Sequence, residues 1–411
     1  VLDKSYLPPA EARSLLLNAL PALSVPAEEC PIGEAYGRVL AEDILSPEDL
    51  PGFARSTVDG YAVNAADTFG ARETAPAYLT VKSEVLMGAA ADVPVGRAEA
   101  ARIPTGGMLP PGTDAVVMLE HVQAVSADMI EVMKSVAPKE NVIERDEDVA
   151  SGETVLQRGH RLRPQDVAAL AGLGIMRVAV SRRPVVAVVS TGDEILPPDR
   201  PLKPGQVRDI NSYTLWGLIA ASGGLPLRKG IFEDDYEVIR RAVEASLQEA
   251  QMVLITGGTS AGTKDMTLQI INDLGDPGVL FHGVALKPGK PMIGGIVSGT
   301  PVLGLPGHPA AVAVCFDLFI RPLIRRLSGQ SAGRDFDKTV TARMAKSVAS
   351  AAGREDHIRV SLDERDGALQ AVPVLGKSGL ITTLVRADGV VVIPPARLGL
   401  DAGEEVVVRL F

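Results

Sequence analysis

A chain of 411 residues with 41 Lys and Arg against 51 Asp and Glu carries a formal net charge of −10, which argues against a nucleic-acid protein. Its 46% hydrophobic and 22% charged residues are enough to build roughly two to four folded domains. No apolar run approaches the roughly 18 residues needed to span a bilayer, and the opening mixes acidic, basic and apolar residues unlike a signal peptide, so no membrane and a cytoplasmic location are expected. The two cysteines, Cys30 and Cys315, fit neither a disulfide framework nor a metal-binding pair and read as small buried hydrophobes.

In chain order, "LPPAEARSLLLNALPAL" reads as a helix opened by proline with a leucine stripe for packing. From about Pro51 to Pro138 short alternating runs such as "AYLTVKSEVL", "DAVVMLEHVQAV" and "MIEVMKSV" are broken by Gly/Pro turns, the texture of a β-rich module. "RPQDVAALAGLGI" supplies another helix. Between about Arg183 and Gly329 strand-like and helix-like segments alternate, which predicts a largely parallel sheet with helices on both faces. In such sheets ligands sit at the carboxyl ends of the strands, so the loops after "VVAVVS", "MVLIT" and "PVLGL" should converge on one crevice. The last 80 or so residues return to β texture and suggest a small barrel or sandwich.

Those three loops read "TGDE", "GGTSAGTKD" and "PGHP". The second can offer bare backbone N–H groups to an anion, yet it matches neither the dinucleotide fingerprint nor the Walker P-loop. Asp193, Glu194 and Asp265 are each ordinary as helix caps or solvated carboxylates; converging on one crevice, they form an all-oxygen site that favours Mg²⁺ over zinc. In "ALKPGKPM", Lys287 and Lys290 flank a Pro-Gly turn that could present both ammonium groups to one anion. At about 4 Å and an effective dielectric near 20, each could contribute roughly 4 kcal/mol of Coulomb attraction before desolvation.

Taken in order, "PGFARSTVDGYAV", "RIPTGGMLPPGTDAVVMLE", "NVIERDEDVASGETVL", "VVSTGDEI", "GQVRDINSYTL", "ITGGTSAGTKD", "LKPGKP", "GLPGHP" and "GREDHIRVSL" resemble the molybdopterin molybdenumtransferase family, the MoeA-like proteins whose relatives include the gephyrin E domain. The resemblance runs over essentially the whole chain. It implies a multidomain α/β plus β protein: a discontinuous N-terminal domain (1–50 and 139–182), an inserted β domain (51–138), a molybdopterin-binding doubly wound α/β domain (183–329) and a C-terminal β-barrel-like domain (330–411). It further implies a homodimer that cleaves adenylylated molybdopterin, releases AMP and inserts molybdate (or tungstate) in a Mg²⁺-dependent reaction.

Carried over by motif, Asp59, Asp148, Glu194, Asp234 and Asp265 are the expected active-site carboxylates, with Glu194 and Asp265 as the metal ligands and Asp59 reaching across the dimer. Asp234 is preferred to Asp235. Thr191, Gly192, Gly257, Gly258, Ser260, Gly262, Lys287, Lys290, Pro291, Gly307, His308, Arg359 and Ser378 are the expected substrate-binding positions. There are departures: "PGHPAAV" stands where the family usually has "PGNPVSA", so His308 replaces Asn and Ala311 replaces Ser, and Thr259 stands where Val is usual. The missing hydroxyl bears on the oxyanion site, where an imidazole at 308 could compensate. Two other readings remain open: a molybdopterin adenylyltransferase, against which the additional domains argue, and a catalytically reduced molybdopterin-binding scaffold, against which the retained carboxylates and lysines argue.

Overall fold

A computed structural model describes residues 6–22, 24–257, 261–331, 338–365 and 367–411, with backbone alone for 261–264. The chain packs as two compact units, one of residues 1–41, 158–163 and 177–411, the other of residues 42–157 and 164–176.

The larger unit is built on an α/β domain whose elements follow the expected alternation. They are β1 (Val185–Thr191), α1 (Asn211–Ala221), β2 (Leu225–Phe232), α2 (Tyr236–Leu247), β3 (Met252–Gly257), α3 (Ala261–Asp273), β4 (Pro277–His282), β5 (Ile293–Val297), β6 (Thr300–Leu305) and α4 (Pro309–Cys315). The sheet order is β2-β1-β3-β6-β5-β4. The first four strands in that order are parallel, and β5 and β4 add an antiparallel edge.

Alternate side chains of each central strand enter opposite cores, the period-two rule of a sheet covered on both faces. Val186, Val188, Met252, Leu254, Leu303 and Leu305 pack with Leu215 and Ile219 of α1 and with Ala12 and Leu16 of the N-terminal helix Pro9–Ala19. Ala187, Val189, Val253, Ile255 and Val302 face Ile239 and Val243 of α2 and Ile270 and Ile271 of α3. After "PGHP" the helix is not uniform: α4 passes into a π-helical turn at Phe316–Ile320 before helix resumes at Arg321–Leu327. Pro322 supplies the cause, because it has no N–H to continue the i→i−4 ladder.

In the same unit, strands Thr339–Met344, Glu355–Arg365, Ala368–Pro373, Gly389–Ile393 and Glu405–Leu410 close on themselves, each paired on both sides, as a five-stranded barrel. Its interior holds Ala342, Met344, Val360, Ala371, Val391, Ile393 and Val408. The smaller unit contains a six-stranded curled sheet ordered Ala115–Met118, Gly60–Val63, Glu99–Ile103, Arg72–Glu84, Met129–Lys134, Val122–Ala124, and the helix Pro164–Gly172. Among the described residues no helix is long and apolar enough to cross a membrane.

Candidate active site

The parallel strands β1, β3 and β6 lie side by side, so their carboxyl-end loops emerge together. Gly257 ends β3 with φ +123°, and a Cβ there would sit 1.9 Å from the carbonyl oxygen of Thr191, so only glycine lets these two strand ends approach. Asn211, at the start of α1, ties the neighbouring pair: its Nδ2 donates to Thr256 Oγ1 at 3.2 Å and to the Gly307 carbonyl at 2.8 Å. Buried Asp209 accepts from Ser190 Oγ at 2.9 Å and from the Ser212 N–H at 3.1 Å, fixing α1 against β1. Sequence reasoning quoted the segment holding Asp209 and Asn211 without giving either a role; the signal was two polar residues opening an otherwise apolar helix.

The carboxylates around this crevice divide into structural and open ones. Asp235 Oδ1 accepts from the Val238 N–H at 3.0 Å and caps α2. Its neighbour Asp234 is half-buried, with its N–H donating to Asp193 Oδ1 at 3.0 Å. Glu194 and Asp265 are exposed. Glu194 folds back over the loop, its Oε2 lying 2.9 Å from where a Cβ on Gly192 would be. Thr191 is buried; Gly258 and Ser260 lie outside the described residues, and Gly262 is described by its backbone in α3 only. Among the described residues no three His, Cys, Asp or Glu side chains are grouped to hold a metal. Exposed carboxylates are the ligand type that Mg²⁺ takes, one or two at a time, together with water and substrate phosphates.

In the same unit a second feature gathers cationic side chains. A cavity of about 820 Å³ is lined by Lys287, Lys290, Pro291, His308, Arg359 and Ser378, six of the expected binding positions, while Glu194, Asp234 and Asp265 do not line it. The "KPGK" turn reaches the barrel because Leu286–Lys287 pairs in parallel with Glu355–Asp356. Gly289 holds the turn at φ +128°, where a Cβ would meet Leu286 and Cys315 within 2.9 Å. Cys315 and Cys30 are both buried, and burial pushes the Cys315 thiol far above its ordinary pKa.

Arg354, Lys377 and Asp356 also line the cavity, and none was singled out from the sequence although "GREDHIRVSL" contains two of them. Asp356, fully buried, accepts from Arg354 Nε at 2.8 Å and lies 3.4 Å from Lys287 Nζ. Lys290 Nζ sits 4.3 Å from the ring centroid of Tyr6, a cation–π contact. Arg359 is buried; it donates from Nη2 to the Gly376 carbonyl at 3.1 Å, and its Nε has no hydrogen-bond partner among the described residues. Burial draws the Arg359 pKa below the ordinary arginine value. His308 Nδ1 and Ser378 Oγ are 2.8 Å apart.

In the smaller unit, Asp59 is exposed and its Oδ1 accepts from the Thr105 N–H at 2.8 Å and the Thr105 hydroxyl at 3.1 Å. The backbone bond, then the hydroxyl bond, hold its carboxyl below the usual range. Asp148 is also exposed, and its N–H donates to the Leu50 carbonyl at 3.1 Å.

The fold and these groups define a multidomain α/β protein with a glycine-lined strand-end crevice and a cationic cavity suited to anions. Comparison with known proteins narrows the class. Residues 7–174 match the MoeA N-terminal region (domain I and II), 187–326 the probable molybdopterin binding domain, and 341–411 the MoeA C-terminal region (domain IV). A putative molybdopterin biosynthesis protein of Methanocaldococcus jannaschii is 37% identical over 100% of this chain and 99% of its own. A molybdopterin molybdenumtransferase of Haemophilus influenzae is 32% identical over 98% of each chain. The crystal structure of the molybdopterin biosynthesis MoeA protein from Pyrococcus horikoshii OT3 superposes with a TM-score of 0.85 at 35% identity, covering 99% of this chain and 100% of the other. The chain belongs to the MoeA family of molybdopterin molybdenumtransferases, enzymes of molybdenum cofactor biosynthesis.

Proposed function

We propose that this chain cleaves adenylylated molybdopterin with release of AMP and inserts molybdate into the dithiolene in a Mg²⁺-dependent reaction, as a cytoplasmic homodimer. One observation carries the reading: in a protein of net charge −10, one cavity is lined by Lys287, Lys290, Arg354, Arg359 and Lys377, with a buried Arg359 Nε that has no partner among the described residues. A buried donor without an acceptor costs free energy, and an oxyanion supplies the acceptor. Molybdate, a tetrahedral dianion, has the charge and the oxygens to meet these groups.

The glycine-lined loops at Thr191, Gly192 and Gly257 offer backbone to the anionic part of the pterin or its adenylate without side-chain obstruction. A Mg²⁺ ion held by Glu194 and Asp265 would neutralise charge on the phosphoanhydride. Asp234 is held through its backbone by Asp193, while its neighbour Asp235 caps α2. Asp59, kept ionised by Thr105, serves as an anionic group of the partner's site in this reading.

The test follows AMP release and metal incorporation with adenylylated molybdopterin, molybdate and Mg²⁺. Asp265→Asn should lose cleavage more than ligand binding, and full-rate turnover in excess chelator would refute the metal's role. Sedimentation should give a dimer, and a verified heterodimer of Asp59→Asn with Asp265→Asn should recover part of the activity. No recovery would count against a site shared between chains.

A further inference from the structure

We infer that His308 sets the direction in which the Ser378 hydroxyl donates, and thereby makes oxyanion affinity in the cavity rise as pH falls; this rests on the oxyanion reading of that cavity. Ser378 Oγ has one hydrogen, and His308 Nδ1 lies 2.8 Å from it. When Nδ1 carries no proton, the hydroxyl spends its hydrogen on the imidazole and turns only lone pairs toward an incoming anion. When Nδ1 is protonated the bond reverses: the imidazole donates to Oγ, and the hydroxyl hydrogen is free to donate to the oxyanion. Starting from the neutral tautomer with its hydrogen on Nε2, one proton thus turns the Ser378 hydroxyl from the imidazole to the ligand and adds a positive charge beside it.

The pair is held in place independently of that proton. The His308 carbonyl accepts from the N–H groups of Ala311 and Val312 at 3.0 Å each, and the Ala310 N–H donates to the Ser378 carbonyl at 3.2 Å. The His308 backbone is thus fixed at the start of its helix, and one backbone hydrogen bond links the two segments beside the side-chain contact. Gly379 adds to this, since a Cβ there would lie 3.4 Å from His308 Cδ2.

The charges lining the same cavity give the coupling its sign. Lys287 and Lys290 come from the turn, Arg354 and Arg359 from the start of the barrel strand and its approach, and Lys377 from the residue before Ser378. Against these stands Asp356, already paired with Lys287 and Arg354, while the lining imidazole of His357 is bonded to Glu355. A bound dianion therefore gains one more attraction when His308 carries a proton. Oxyanion binding should take up a proton, and imidazole is the side chain that ordinarily does so between about pH 5 and 8. An asparagine at this position could hold the serine but could not take up that proton.

Calorimetric titration of molybdate between about pH 6 and 8.5, in buffers of different ionisation enthalpy, tests this. The parent should bind roughly tenfold more tightly at the acid end and, by linkage, take up at most about half a proton near the middle of the range. His308→Asn and His308→Gln should flatten the profile and abolish the uptake while still binding, and Ser378→Ala should lose most of the acid-side gain with His308 intact. Parent-like pH dependence in both His308 variants overturns the inference and leaves the oxyanion reading standing. If the parent binds no molybdate at any pH, or binds it equally well after Arg359→Lys and Lys290→Ala, the oxyanion reading itself fails.

Discussion

Asp356 stands 3.4 Å from the ammonium of Lys287, fully buried where the lysine is half exposed. Its other oxygen takes the Nε of Arg354 at 2.8 Å, so one carboxylate holds two of the cavity's cations. It is also the one carboxylate among the described residues lining the cavity, and it competes with any bound anion for Lys287.

Asp356→Asn should therefore separate binding from stability. The amide keeps an acceptor for Arg354 but loses the charge, which costs about 1–3 kcal/mol of folding free energy as a buried charged hydrogen bond is weakened. Oxyanion affinity should rise severalfold in the same variant. Chemical denaturation and molybdate titration measure the two effects, and weaker binding in a folded variant would show that Asp356 orients the lysine rather than competing for it.

Gly257 sets how closely β1 and β3 approach at their ends. Gly257→Ala puts a Cβ 1.9 Å from the Thr191 carbonyl at φ +123°, so the strand ends must part or the backbone must leave its conformation. We expect a loss above about 2 kcal/mol and loss of turnover. Gly223→Ala is the control: φ is +87° but nothing lies within 4 Å, so strain alone acts and the cost should stay near 1 kcal/mol. Equal melting points for the two variants would show that the close approach carries no stability.

Glu355 gives the acid limb of stability a specific source. Its carboxyl is drawn below the ordinary glutamate value first by the hydrogen bond to His357, at 2.6 Å, with burial acting in the opposite sense. A carboxylate with a lowered folded pKa contributes stability that is present above its unfolded value and lost as pH falls through the folded one. Denaturation midpoints should accordingly fall below about pH 4.5, and His357→Phe should reduce that fall. An unchanged acid limb in a folded His357→Phe variant would place the acid sensitivity elsewhere.

The alternation of apolar strands and amphipathic helices made the α/β domain legible in sequence, because β1, β3 and β6 are buried on both faces and read as unbroken apolar runs. The antiparallel edge, β4 and β5, was not legible: "PGVLFH" and "IGGIV" carry three glycines between them and little alternation, and their pairing depends on β6 rather than on local pattern. The lysines of the "KPGK" turn were found as a local oddity. Asp356 is not legible because its role arises from a contact across a long stretch of chain, Lys287 against Asp356, 69 residues apart in sequence. Asp209 and Asn211 went unassigned for the same reason, their partners lying on three different strands or strand-end loops.

Ala311, where the resemblance implies a serine, lines the cavity nearly fully buried, three residues after His308. A serine there has two competing partners. Its hydroxyl can donate to an oxyanion, worth roughly 1.5 to 3 kcal/mol for a charged hydrogen bond, or about tenfold to a hundredfold in affinity. It can instead bond back to the carbonyl four residues earlier, that of Gly307, as serines in helices do. That carbonyl already accepts from Asn211 Nδ2 at 2.8 Å, which weakens the alternative. Ala311→Ser should therefore tighten molybdate binding, with the gain greatest at the alkaline end, where Ser378 donates to His308 and not to the anion. In the double variant with His308→Asn the gain should be the same at every pH. If Ala311→Ser binds no more tightly at pH 8 than the parent, the new hydroxyl has turned to the helix, and the oxyanion is held by the cations and Ser378 without it.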